Sequence, residues 1–201
     1  MKTPIALPLA CCAVLLLAPG RLAAQLPSSL SLEARLGGAF ATGEFGAPGT
    51  ALDAGTGYAA SVAGRLEVAP GITVYVGYER AELACAACAD VAIDDAVIDA
   101  GIAGGAIVML PFDAAGISPW LRAGVVRRQL EFSAEAGTSA SKPGYGFDLG
   151  AGVTLPLVGP FTLTPGIRYL SYPAEFDFEN VPDRSIDVTH VGVDVGLAYQ
   201  F

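Results

Sequence analysis

The sequence predicts an all-β fold, an eight-stranded antiparallel transmembrane up-and-down β-barrel. Three observations predict it. The first is strict alternation in Val191 to Phe201, V-G-V-D-V-G-L-A-Y-Q-F. Val191, Val193, Val195, Leu197, Tyr199 and Phe201 share one face, and Gly192, Asp194, Gly196, Ala198 and Gln200 the other, the period of a strand. The second is that connections alternate between short turns and long polar loops, the pattern of barrels that cross an outer membrane. The third is the placement of glycine. Most of the 25 glycines fall inside the alternating segments, where a narrow interior needs close approach.

The elements follow in order. Lys2, the apolar stretch Ile5 to Ala18, Pro19-Gly20 and Leu22-Ala23-Ala24 form a secretory leader, residues 1–24. Cleavage after Gly20 is the alternative cut. An uncleaved anchor is disfavoured because the stretch falls short of the ~20 residues of a span. Residues 25–201 then form one barrel domain.

The first strand covers about Ser31 to Ala41, and the second about Gly57 to Ala69. Pro70-Gly71 turns the chain into the third, Ile72 to about Glu82. The fourth covers about Val97 to Leu110, and the fifth about Pro119 to Ser133. The fifth changes face: Leu121, Ala123 and Val125 lie on one side, Leu130 and Phe132 on the other. A bulge near Val126-Arg127, or a strand projecting past the membrane, accounts for this. The sixth covers about Gly144 to Leu155, the seventh Phe161 to about Tyr172, and the closing strand ends at Phe201. Long loops are expected at about 42–56, 83–96, 134–143 and 173–185.

A sheet in lipid must pair every backbone group internally, so it closes. Apolar residues then face lipid and polar ones the lumen. Glu33, Arg35, Arg65, Glu67, Glu79, Arg122, Asp148, Arg168 and Asp194 all fall on the inward parity. Acids and bases are mixed, so a lumen charge network is expected. Tyr58, Tyr78, Phe132 and Tyr169 near the long loops, and Trp120, Phe161, Tyr199 and Phe201 near the short turns, read as two interfacial girdles. A secreted soluble barrel of lipocalin type shares the periodicity with its faces exchanged. The aromatic end, the loop alternation and glycine on the polar face favour the membrane form.

Without residues 1–24 the charge is 9 basic against 20 acidic residues, a formal −11, which argues against nucleic acid as a partner. Cys85 and Cys88 form a lone Cys-Ala-Ala-Cys in a loop. A small disulfide is the first reading, with free thiols and redox or metal work behind it. No cofactor is expected.

The carboxy-terminal Leu197-Ala198-Tyr199-Gln200-Phe201 resembles the assembly signal of the small outer-membrane β-barrel family, which includes OmpA-type transmembrane domains and OmpX-like, Opa-like and OmpW-like barrels. The resemblance spans residues 25–201. It implies that Val193, Val195, Leu197, Tyr199 and Phe201 are read by the barrel-assembly machinery. The implied partners are the lipid bilayer and lipopolysaccharide, for a monomer in a Gram-negative outer membrane.

Enzymatic members of such barrels hold His and Ser two residues apart on one strand. Here Gly192 follows His190 at that spacing, so the motif fails and an interfacial histidine is expected. Asp90, Asp94 and Asp95, and Glu175, Asp177, Glu179 and Asp183, lack an ordered calcium-ligand series and read as solvated loop acids. Bridging to lipopolysaccharide phosphates through divalent ions is the alternative. The expected role is structural or surface-interactive, without catalysis. The second reading is transport or binding of small hydrophobic molecules.

Overall fold

The computed structural model describes residues 30–42, 54–85, 93–112, 116–134, 137–176 and 184–201. The strands are β1 (Leu30–Ala41), β2 (Ala54–Ala69), β3 (Ile72–Cys85), β4 (Ile93–Met109), β5 (Ser118–Ala134), the short β6 (Gly137–Ala140), β7 (Gly144–Pro156), β8 (Phe161–Phe176) and β9 (Arg184–Gln200).

Each long strand pairs antiparallel with its neighbours, and β4 pairs with β5 to bring the sheet round on itself. The other seam joins β1 to β9, from Ser31 opposite Gln200 to Ala41 opposite His190. The Phe201 amide adds a bond to the Leu30 carbonyl at 3.1 Å. The result is a closed barrel of eight long strands with no free edge, the form in which a lipid-facing sheet satisfies its backbone. Among the described residues no helix is long and apolar enough to cross a membrane.

The short turns lie at one end. Gly71 takes φ 74° there, which the Pro70-Gly71 turn requires and a side chain resists. At the long-loop end the strands run beyond their expected limits. β3 reaches Cys85, β4 starts at Ile93 and β8 reaches Phe176. The stretch expected as a loop at 134–143 instead carries β6, folded back on β5 from Glu131 opposite Ala140 to Ala134 opposite Gly137.

β5 settles its own ambiguity. Its pairing with β7 is unbroken from Ser118 to Arg128, and with β4 from Trp120 to Phe132. There is no bulge at Val126-Arg127; the strand projects. Trp120, Arg122, Val126, Arg128 and Leu130 are all buried inside, while Leu121, Val125 and Arg127 are exposed on the wall.

The wall carries an apolar belt, with Leu36 69%, Val76 66% and Val125 70% exposed. A soluble barrel leaves no such continuous surface bare. Tyr58, Tyr78 and Tyr169 are exposed toward the long loops. At the other end the Tyr199 ring meets Phe161 and Phe201, each at 5.1 Å between centroids.

Trp120 departs from the expected girdle. It is buried inside, in a slot bounded by Gly152 and Gly166. A Cβ on Gly166 would stand 2.7 Å from the Trp120 ring, so the indole depends on that glycine. The side chain of Phe132, Cys85 and Cys88 as a pair, and the acids Asp90, Asp94, Asp95, Asp177, Glu179 and Asp183 lie outside the described residues and side chains.

Candidate functional site: a two-tier lumen

An eight-stranded barrel is just wide enough for its own side chains to fill it. Here they fill it in two tiers. The tier toward the short turns is ionic, and the tier toward the long loops is apolar.

The ionic tier begins at Glu33 on β1. Its Oε1 accepts from Arg35 Nη1 at 2.9 Å, Arg65 Nη1 at 2.8 Å and Thr164 Oγ1 at 2.6 Å. Arg35 also donates Nη2 to the Thr164 carbonyl at 2.9 Å and pairs with Asp194 across the β1–β9 seam. Asp194 lies 3.9 Å from Arg168, which pairs in turn with Glu79.

Asp148 on β7 collects a second group. Its Oδ2 accepts from Arg122 Nε at 2.8 Å and from the Tyr75 hydroxyl at 3.1 Å, and Arg168 Nη2 lies at 3.2 Å. The Arg122 guanidinium stacks 3.9 Å over the Tyr75 ring. Arg128 on β5 carries the chain outward. It donates Nη1 to Glu79 and Nε to Asp99 Oδ1, both at 2.8 Å, and the Tyr172 hydroxyl reaches the same Oδ1 at 2.8 Å.

Every long strand contributes to this network. Arg35, Arg65, Arg122, Arg128 and Arg168 face Glu33, Glu79, Asp99, Asp148 and Asp194, five charges of each sign. Equality of charge matters because an unpaired ion in a low-dielectric interior costs several kcal/mol or more. His190 is buried here too, its Nδ1 3.6 Å from Asp99 Oδ2, rather than interfacial. Neither atom has a hydrogen-bond partner, and 3.6 Å is too long to count as one.

Glu67 does not join the network. It is exposed at the short-turn mouth, where its Oε1 accepts from the Gly71 amide at 3.3 Å and caps the β2–β3 turn. A cavity of about 310 Å³ opens at that mouth, lined by Arg65, Glu67, Thr73, Thr154, Thr162 and Gln200 among others.

Above Asp99 the lumen turns apolar. Leu83, Val97, Leu130, Leu170, Tyr172, Phe176 and Val188 are buried together, with Ala39, Ala81 and Ala174 between them, and the cluster continues past the ions through Val126, Ala103, Ile107 and Trp120. Between the tiers lies a void of about 20 Å³ bounded by Glu79, Arg168 and Asp194 below and Ala39 and Leu170 above. That is room for one water molecule. Among the described residues no set of His, Cys, Asp or Glu is arranged to hold a metal.

The structure places Glu33, Arg35, Arg65, Glu79, Arg122, Asp148, Arg168 and Asp194 inside the barrel. The network named from the sequence did not include Arg128, Asp99, Tyr75, Thr164 and Tyr172, which the structure adds to it. Asp99 alternates correctly in β4, and Arg128 shares parity with Arg122, so both were within reach of a consistent register for β5. Val193, Val195 and Leu197 are exposed on the wall, and Tyr199 and Phe201 are half-buried among aromatics.

No protein-family model matches the chain, and no curated protein sequence matches it. Solved structures do. Neisserial surface protein A (NspA) superposes with a TM-score of 0.65 at 17% identity, covering 86% of this chain and 97% of that one. Ail, the attachment invasion locus protein of Yersinia pestis, gives 0.48 at 14% identity over 84% and 98%. Escherichia coli outer membrane protein W gives 0.48 at 12% identity over 88% and 100%. The chain has the fold of the small eight-stranded outer-membrane β-barrels.

Proposed function

We propose that this chain is a closed, non-catalytic outer-membrane barrel of a Gram-negative bacterium, serving as a rigid platform for its outward loops. Residues 1–24 act as a cleaved leader, and Val193, Val195, Leu197, Tyr199 and Phe201 present the closing strand to the barrel-assembly machinery. The barrel works as a monomer, with the bilayer and lipopolysaccharide as its surroundings. The observation that carries the reading is the lumen filled in two tiers, ions below and an apolar core above. A conducting pore requires a continuous aqueous path. Passage of a small hydrophobic molecule requires a continuous apolar one, and five arginines lie across it.

Two measurements test this. Cell fractionation with a heated and unheated gel should place the protein in the outer membrane with a mobility change on heating; a soluble product with none would overturn the membrane reading. Reconstitution into planar bilayers should give no stable conductance steps. Steady steps altered by Arg168→Ala would replace the platform with a channel.

A further inference from the structure

The wall between β3 and β7 carries an arrangement that the lumen does not explain. Three rows can be read off the strand registers at the outer border of the apolar belt. The first runs Tyr78, Ile102, Arg127, Tyr145. The next outward runs Arg80, Ala100, Gln129, and the third Glu82, Ile98, Glu131. Arg80 and Arg127 thus lie diagonally across β4, Arg80 opposite Ala100 and Arg127 opposite Ile102, two interstrand steps or roughly 10 Å apart across the sheet and one row apart along it.

Both arginines are exposed on the wall, and neither forms an ion pair among the described residues. Among the described side chains of the strands they are the only basic ones that face outward. Arg127 rests over Tyr145 at 6.0 Å, the outer limit of a cation–π contact. Elsewhere on the wall the border is crossed differently. On β8 the positions beyond Tyr169 are Ser171, Pro173 and Glu175, and on β9 those beyond Val191 are Thr189 and Asp187.

We infer that Arg80 and Arg127 form a binding position for the phosphate of an outer-leaflet glycolipid lying against Ala100. The inference rests on the membrane reading above. Depth supports it: the arginines are the first outward charges met on β3 and β5 past the apolar belt, where acyl chains give way to headgroups. Chemistry supports it as well, because a guanidinium presents a planar fork of donors that matches phosphate oxygens. Small Ala100 leaves space beside Arg80, with Ile102 bordering it on the side of Arg127. Glu82, engaged by the Tyr58 hydroxyl at 2.6 Å, and Glu131 stand one row further out and set the depth by repulsion.

The test uses the chain folded in zwitterionic detergent micelles and titrated with bisphosphorylated lipid A, dephosphorylated lipid A and inorganic phosphate. Each of Arg80→Gln and Arg127→Gln should weaken binding of the bisphosphorylated lipid about five-fold, and the pair about twenty-five-fold. The dephosphorylated lipid should bind wild type and double variant alike, and inorganic phosphate should compete only at high concentration. Glu131→Gln is the control and should not weaken binding. Equal affinity of wild type and double variant for the bisphosphorylated lipid would overturn the position. So would inorganic phosphate binding as tightly as the lipid, which would make it an ion site. If neither wild type nor variants show a heat-dependent mobility change, the membrane reading fails and the position with it.

Discussion

The two tiers of this barrel obey the same alternation and reach opposite results. In the inner tier the wall is apolar and the lumen ionic, as at Leu121 beside Arg122 or Ile167 beside Arg168. In the outer tier the wall is polar and the lumen apolar, as at Glu175 beside Phe176 or Asp187 beside Val188. No strand shifts register to make the exchange; β5 passes through it with continuous pairing to β4, and β8 with continuous pairing to β9. On the membrane reading proposed above, what changes is the medium outside. Where lipid surrounds the wall, polar groups are driven inward. Where water surrounds it, the same side of the strand packs a core of soluble type. That reading makes the outer tier a small soluble barrel standing on a membrane barrel.

The comparison breaks most readily in the ionic tier. Arg128→Leu leaves Asp99 without its guanidinium partner and Glu79 with Arg168 alone, and should cost about 3–5 kcal/mol. Urea unfolding in micelles measures this, with loss of the compact unheated band as the extreme. The apolar tier comes next. Leu130→Ala should cost about 2–5 kcal/mol, the range for a truncated core leucine. Asp187→Ala, on the wall beside the buried Val188, should stay within about 0.5 kcal/mol. Equal losses at Leu130 and Asp187 would remove the case for a soluble-type core. A pair of charge insertions then sharpens the border between the tiers. Leu36→Arg, in the belt, should cost about 2–4 kcal/mol in bilayers. Glu175→Arg, above it, should change stability by no more than about 0.5 kcal/mol. Comparable effects at the two sites would mean that lipid does not end where the aromatic residues suggest.

The face of most lumen charges was legible in the sequence, and their height was not. Parity alone assigned Arg168 and Asp194 to the lumen. It could not say that Arg168 meets Glu79 and Asp148, because neighbouring strands are staggered and a lumen side chain meets whatever stands at its own level. The face change in β5 illustrates the same limit. Leu130 reads as inconsistent with Val125 only if one medium is assumed along the whole strand. Trp120 misled for a related reason: an aromatic near a strand end fits a girdle, and only the paired absence of side chains at Gly152 and Gly166 makes room for it inside.

The seam between β1 and β9 carries a consequence for folding kinetics. Arg35 and Asp194 are separated by 159 positions, and Glu33 and Thr164 by 131. Contacts this distant in sequence pay their loop-closure entropy late, which slows formation. Until β9 docks, Arg35 lacks its carboxylate across the seam and β1 presents an unpaired edge. Closure and neutralisation are therefore a single cooperative event. A chain stalled before it should be the species most open to proteolysis and to pairing with the wrong strand.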